Sequence, residues 1–164
     1  MRRANNRAPG PARAGLSRRH GFLLDVNVLI ALAWPHHVHH DLAHQWFAVT
    51  GHISWCTCPF TQLAFIRISS NAGIIPDAVA PSQAQALLER MVGAPGHRFV
   101  AESIAPSGMD ALRRLGVIGH RQVSDAYLLA VALHHGVRLA TLDRRVATLM
   151  AEATTRDDLV EVIA

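Results

Sequence analysis

The chain has 164 residues, 50% of them hydrophobic, and a formal net charge of +4, and every basic residue apart from histidine is an arginine. This length is typical of one domain with one core. No apolar run reaches the roughly 20 residues of a membrane-spanning helix, and residues 1–20 lack the apolar segment of a secretory signal, so we expect a cytoplasmic protein without membrane contact. The absence of lysine excludes a Walker phosphate-binding loop and a Schiff-base site.

The positive charge is concentrated at the N-terminus. Residues 1–20 contain six arginines and no acidic residue, whereas residues 21–164 contain ten arginines against twelve acidic residues. Because residues 1–20 also lack hydrophobic periodicity, we expect a disordered basic extension ahead of a folded domain over 21–164. The extension is either an RNA-contacting arm or an inert leader.

From Gly21 onwards, short apolar runs alternate with longer amphipathic segments, which predicts strand–helix units and a parallel sheet in an α/β protein. The predicted strands are Phe22–Asp25, Ile53–Cys56, Arg98–Ala101, Arg138–Thr141 and Leu159–Val162. The predicted helices are Val28–Trp34, Asp41–Val49, Pro59–Ser70, Ser82–Val92, Met109–Leu115, Ser124–His135 and Arg144–Met150.

Three aspartates are candidates for a shared site. Asp25 ends the first predicted strand, Asp143 follows the fourth, and Asp125 lies in the first turn of the helix before that strand. Ligands of open parallel sheets bind beyond the carboxyl ends of the strands, so we expect the three carboxylates to converge. Each one alone could instead cap a helix or favour its positive end.

Close carboxylates repel one another unless protons or cations relieve the repulsion. Oxygen ligands suit Mg²⁺, and Mn²⁺ is an alternative. A metal ion in such a site can lower the pKa of a bound water and orient it towards a phosphodiester. The acidic set therefore predicts nuclease chemistry.

Four segments, in this order and spacing, resemble the PIN-domain ribonucleases, and most closely the VapC-type toxins of bacterial toxin–antitoxin pairs. The segments are Leu24–Leu32 (LDVNVLIAL), Thr61–Ile68 (TQLAFIRI), Val123–Leu128 (VSDAYL) and Leu139–Asp143 (LATLD). The resemblance covers residues 22–164 and implies a PIN-like three-layer sandwich, in which helices flank a parallel five-stranded sheet. It also implies Mg²⁺-dependent RNA cleavage, homodimerisation, and inhibition by an antitoxin whose C-terminal segment occupies the active-site groove.

The resemblance implies metal binding by Asp25, Asp125 and Asp143, with Asn27 and Gln62 as neutral helpers. The family normally has a glutamate where this chain has Gln62, so we expect weaker metal binding. This departure leaves an alternative open, a catalytically impaired PIN-fold module that binds RNA or antitoxin without efficient cleavage. A doubly wound phosphohydrolase with Asp25 as nucleophile is less favoured, because that class usually has a second acid at the position of Asn27.

Basic residues near the acidic set are candidates for RNA binding. Arg121 precedes Asp125, and Arg144 and Arg145 follow Asp143, so all three could contact backbone phosphates or simply be solvated. Elsewhere, His40 and His44 have a spacing compatible with a zinc site, but no suitably spaced Cys or acidic ligand accompanies them.

Overall fold

The computed structural model describes residues 20–101, 104–109, 119–149 and 158–164. The strands within these ranges are β1 (Phe22–Leu24), β2 (Trp55–Thr57), β3 (His97–Phe99), β4 (Arg138–Thr141) and β5 (Val160–Val162). The helices are α1 (Val26–Ala33), α2 (His40–Val49), α3 (Pro59–Ser69), α4 (Pro81–Val92), α5 (Val123–His134) and α6 (Arg144–Thr148). Short 3-10 turns lie at Gly51–Ile53, Pro106–Gly108 and His120–Gln122.

The five strands form one sheet in the order β3-β2-β1-β4-β5, and every pairing is parallel. The chain therefore moves outward from β1 through β2 to β3 and then crosses to β4 on the other side of β1. In open parallel sheets this reversal creates a crevice beyond the carboxyl ends of the two central strands. The crevice here lies beyond β1 and β4.

Both faces of the sheet are covered by helices. Leu23 of β1 and Leu139 of β4 belong to a buried cluster with residues of α5 and α6. Their neighbours Leu24 and Ala140 point to the other face and belong to a second cluster with α1, α3 and α4, which includes the fully buried Phe65. Strands buried on both faces read as continuous apolar runs. The three-layer sandwich and the parallel five-stranded sheet are thus confirmed.

The predicted second strand begins two residues too early and ends one residue too early. The prediction Ile53–Cys56 is shifted, because Ile53 lies in a 3-10 turn with 71% of its surface exposed and β2 begins only at Trp55. All three residues of β2 are buried, and the polar Thr57 ends the strand. The ends of the other predicted elements that the structure describes also lie within two residues of their predictions.

Two predictions fall outside the described residues. Residues 1–19 contain nearly all of the predicted basic extension, and residues 110–118 contain most of the predicted helix Met109–Leu115. Within the described ranges, no helix is long and apolar enough to cross a membrane.

Candidate active site

Asp25 directly follows β1, at the carboxyl edge of the sheet. Its backbone N–H donates to the carbonyl of Ala140 in β4 (3.0 Å), and its own carbonyl accepts from Val28 and Leu29 in the first turn of α1. It is the N-cap residue of α1, but its side chain makes no capping hydrogen bond. Only 6% of its surface is exposed. The carboxylate is therefore held inside the site and does not serve as a helix cap.

A polar network joins the ends of β1 and β4 around this carboxylate. Thr141 donates its hydroxyl proton to Oδ2 of Asp25 (2.7 Å), and Asn27 donates Nδ2 to the same oxygen (2.8 Å). The Asn27 amide also bridges to β4, since its Nδ2 lies 2.9 Å from Thr141 Oγ1 and its Oδ1 accepts from the backbone of Leu142 (3.1 Å). The backbone N–H of Asp143 donates to Thr141 Oγ1 (3.1 Å). The network thus brings the side chains of Asp25 and Asn27 close to the backbone of Asp143.

Thr141 belongs to the polar network but was not predicted as a site residue. It is fully buried at the end of an otherwise apolar strand core, and its hydroxyl links Asp25, Asn27 and Asp143. A buried hydroxyl needs a hydrogen-bond partner, so a threonine at the carboxyl end of a central strand is itself a signal of a polar site. Asp143, which follows this strand, was predicted as a site residue, whereas Thr141 was not.

The three carboxyl groups influence one another. Burial raises the pKa of Asp25 to about 6 from a usual 3.8, while the Thr141 hydrogen bond lowers it and the charges of Asp125 and Asp143 raise it further. Burial also raises the pKa of Asp125, and the charge of Asp143 adds to that rise. Because a nearby cation would favour the ionised forms, these groups have the electrostatics of a cation site.

Asp143 differs from the other two acids because it has its own counter-ion. Arg145 forms a two-pronged contact with it, with Nη2 2.7 Å from Oδ2 and Nε 3.0 Å from Oδ1. The backbone N–H of Arg145 donates to Oδ1 as well (2.9 Å), so Asp143 caps α6. The hydrogen bond from the Arg145 side chain lowers the pKa of Asp143.

Gln62 lies at the same edge of the sheet but is bonded to a different strand. Its Nε2 donates to Thr57 Oγ1 at the end of β2 (2.8 Å), and Thr57 Oγ1 lies 2.9 Å from His97 Nε2. Burial lowers the pKa of His97, which favours the neutral ring, and in the tautomer that carries its proton on Nδ1 the ring accepts the Thr57 proton at Nε2. In the described part of the chain, no hydrogen bond joins Gln62 to the three carboxyl groups.

The remaining predicted positions are peripheral. Arg121 and Arg144 are exposed at the starts of the segments that carry Asp125 and α6. The rings of His40 and His44 contact the carbonyls of Ala31 (2.8 Å) and Leu32 (3.0 Å) at the end of α1, so both histidines serve as caps of that helix.

Among the described residues, no group of three His, Cys, Asp or Glu side chains is arranged closely enough to hold a metal ion by protein ligands alone. Mg²⁺ is usually bound through one or two carboxylates and keeps several of its waters. The carboxyl groups of Asp25 and Asp125, whose pKa values are raised, fit an ion of this kind, whereas a closed zinc cage does not fit.

The sequence profile of the PIN domain matches residues 22–151, which include all three aspartates. The chain belongs to the PIN-domain family. The chain is 41% identical to "Ribonuclease VapC38" of Mycobacterium tuberculosis over 127 residues, which are 77% of this chain and 88% of that protein. It is 42% identical to "Ribonuclease VapC39" of the same species over 125 residues, which are 76% of this chain and 90% of that protein. This PIN domain is therefore a member of the VapC group.

The fold also has a solved counterpart. The crystal structure of PAE2754 from Pyrobaculum aerophilum matches with a TM-score of 0.55 at 17% sequence identity, covering 87% of this chain and 83% of that one. At this identity the match supports the fold alone, and it agrees with the PIN-like architecture of the sheet and helices.

Proposed function

We propose that this chain is a Mg²⁺-dependent endoribonuclease, with Mn²⁺ as a substitute ion, and that it acts as the toxin of a toxin–antitoxin pair. The observation that carries the proposal is the set of Asp25, Asp125 and Asp143, whose carboxyl groups influence one another at the crevice between β1 and β4. The relatives named as VapC ribonucleases support RNA as the substrate.

In this proposal the three aspartates hold the cation through their carboxyl oxygens. When bound, the ion would supply an activated water and stabilise the charge that develops on the phosphodiester. Thr141 and Asn27 fix the orientation of Asp25, because both donate to its Oδ2. The Asp25 carboxyl, with a pKa of about 6, is easily converted to the ionised form that a cation requires.

Arg121 and Arg144 would bind backbone phosphates of the RNA beside the acids. Both side chains are exposed, and guanidinium groups recognise phosphate oxygens in a bidentate manner. Gln62 would act as a neutral helper at the β2 side of the crevice, because Thr57 fixes its amide nitrogen. Contacts to backbone phosphates position the RNA for cleavage and carry no base specificity.

We also propose a cognate antitoxin, a homodimer and a cytoplasmic location, as the family resemblance implies. Large apolar side chains on the surface support protein partners. Phe60, Leu63 and Ile66 of α3 line one surface pocket, and the side chain of Leu63 is 68% exposed. Contiguous patches of exposed apolar side chains commonly mark sites of interaction with other proteins.

The decisive experiment incubates the purified protein with RNA in Mg²⁺, in Mn²⁺ and in EDTA. We expect cleavage only with the added ion and its loss in Asp25→Asn, which keeps the shape of the side chain. Asp41→Asn, which removes an exposed acid of α2, is the matched control and should cleave like the wild type. Cleavage in EDTA, or undiminished cleavage by Asp25→Asn, would contradict the proposal.

A second candidate function is an impaired PIN-fold module that binds RNA or antitoxin without efficient cleavage. The uncharged Gln62 favours it, because its amide nitrogen is engaged with Thr57 and it contributes no negative charge to the crevice. RNA binding by gel shift without any cleavage in Mg²⁺ or Mn²⁺ would select this candidate over the first.

A further inference from the structure

Arg145 forms an ion pair with the carboxyl group of Asp143, which the proposed function assigns to metal binding. The guanidinium contacts both carboxyl oxygens, with Nη2 2.7 Å from Oδ2 and Nε 3.0 Å from Oδ1 and 3.2 Å from Oδ2. The backbone N–H of Arg145 takes a further position on Oδ1 (2.9 Å). A carboxylate offers about four lone-pair positions, so Asp143 has little acceptor capacity left for a cation.

The pair is also placed so that it affects the rest of the site. The charge of Arg145 lowers the pKa of Asp125, and the charge of Asp143 raises it. Within the described part of the chain, no arginine lies within salt-bridge distance of Asp25 or Asp125. Among the described residues, Arg145 is therefore the arginine that forms an ion pair with one of the three aspartates.

We propose that Arg145 is a built-in competitor of the divalent cation for Asp143, so that metal binding requires the guanidinium to leave the carboxylate. This inference rests on the proposed metal site. Like charges repel at short distance, and a divalent ion on Asp143 would face a guanidinium that holds the same two oxygens. The two cations therefore exclude each other from this carboxylate.

The exchange is easy because the arginine is at the surface. The side chain of Arg145 is 78% exposed, whereas that of Asp143 is 29% exposed. An exposed ion pair is weak, and an exposed guanidinium can rotate into solvent without disturbing the core. The backbone N–H bond to Oδ1 does not depend on the arginine side chain, so the cap of α6 remains when the guanidinium leaves.

The test measures Mg²⁺ affinity by calorimetry in the absence of RNA, for the wild type, Arg145→Gln and Arg144→Gln. Arg144 is the matched control, because it is an exposed arginine one residue away and its removal changes the net charge equally. We expect Arg145→Gln to bind Mg²⁺ about two- to fivefold more tightly than the wild type, as the loss of an exposed ion pair predicts. Arg144→Gln should change the affinity clearly less.

Equal Mg²⁺ affinity of the two variants, or no Mg²⁺ binding by any of the three proteins, would overturn the inference. A second measurement follows the Nε–H signal of Arg145 by NMR, assigned by its absence from Arg145→Gln. We expect this signal to shift as Mg²⁺ saturates the wild type, and an unchanged signal at saturation would also overturn the inference. A protein that binds Mg²⁺ in this manner but cuts no RNA would contradict the proposed function alone.

Discussion

The hydroxyl of Thr141 donates a 2.7 Å hydrogen bond to Oδ2 of Asp25, which joins two residues that are 116 positions apart in the chain. Both side chains are buried, and the bond connects the ends of the neighbouring strands β1 and β4. This contact fixes the carboxyl group that is most shielded from solvent in the acidic set. It therefore contributes both to stability and to the electrostatics of the site.

We expect Thr141→Val to lower the free energy of unfolding by about 1–3 kcal/mol, because buried Asp25 loses a hydrogen-bond donor while the shape of the side chain is kept. The pKa of Asp25 should rise above its present value of about 6, since this hydrogen bond now lowers it. Urea denaturation and NMR titration of the carboxyl carbon, both in EDTA, measure the two effects. Thr141→Ser keeps the hydroxyl but loses a buried methyl group, so it should lower stability without raising the pKa of Asp25, and a Val variant with an unchanged pKa would contradict the prediction.

The stability of the metal-free protein should depend on pH through Asp25. Its pKa is raised from 3.8 to about 6 on folding, so the folded state retains the proton longer than the unfolded state. The stabilising contribution is complete below pH 3.8 and is lost as the pH rises through 6, a difference of about 3 kcal/mol. Asp25→Asn carries no such charge, so its stability advantage over the wild type in EDTA should grow between pH 4 and pH 7. A constant difference across this range would contradict the prediction.

The positions of two acids of the candidate site could be predicted from sequence because they follow from the strands. Asp25 and Asp143 come at the ends of apolar runs, and parallel pairing of β1 with β4 brings those ends together. The clamp of Arg145 on Asp143 could not be predicted in the same way. Arg144 and Arg145 are indistinguishable in sequence, and only the side-chain geometry at the start of α6 determines which one reaches the carboxylate.

The contact of Gln62 was missed for another reason. The predicted second strand ended at Cys56, which left Thr57 outside the sheet, whereas the observed β2 ends at Thr57. The apolar Ile53 suggested the earlier start, but it lies exposed in a turn. Apolar character alone does not determine register, because hydrogen bonding to both neighbouring strands selects the paired residues.

Mg²⁺ should stabilise the folded protein if the carboxyl groups bind it. At an ion concentration of tenfold its Kd, ligand linkage predicts a gain of about 1.4 kcal/mol in the free energy of unfolding. Thermal unfolding at pH 7 with and without Mg²⁺ measures the gain as a rise in Tm. Asp125→Asn should reduce the rise, whereas Asp41→Asn on the exposed surface of α2 should retain it. An equal rise in both variants would mean that the ion binds elsewhere.

Replacing Gln62 by glutamate should strengthen Mg²⁺ binding and raise RNA cleavage, because it adds a negative charge at the carboxyl edge of the sheet. The matched control is Gln83→Glu, which adds the same charge on the exposed face of α4 and keeps the oxygen that accepts from the backbone of Ala80. Calorimetry with Mg²⁺ measures the first effect. The same affinity in the wild type and in Gln62→Glu would show that this position does not contribute charge to the cation site.

The same substitution should couple the site to the protonation of His97. At present Gln62 donates to Thr57 Oγ1 (2.8 Å), which leaves the Thr57 proton for Nε2 of neutral His97. A glutamate carboxylate cannot donate, so the Thr57 hydroxyl must donate its one proton to the glutamate. The Nε2 atom of His97 must then carry a proton of its own to keep a hydrogen bond with Thr57. We expect the pKa of His97 to rise in Gln62→Glu. A raised folded-state pKa adds stability at low pH, and this stability is lost as the pH rises through that pKa. The free energy of unfolding of the variant should therefore be about 1–2 kcal/mol lower than that of the wild type at pH 8, with a smaller difference at pH 5. NMR titration of the His97 ring tests the rise directly, and a pKa unchanged from the wild type would show that the Thr57 hydroxyl still donates to the histidine.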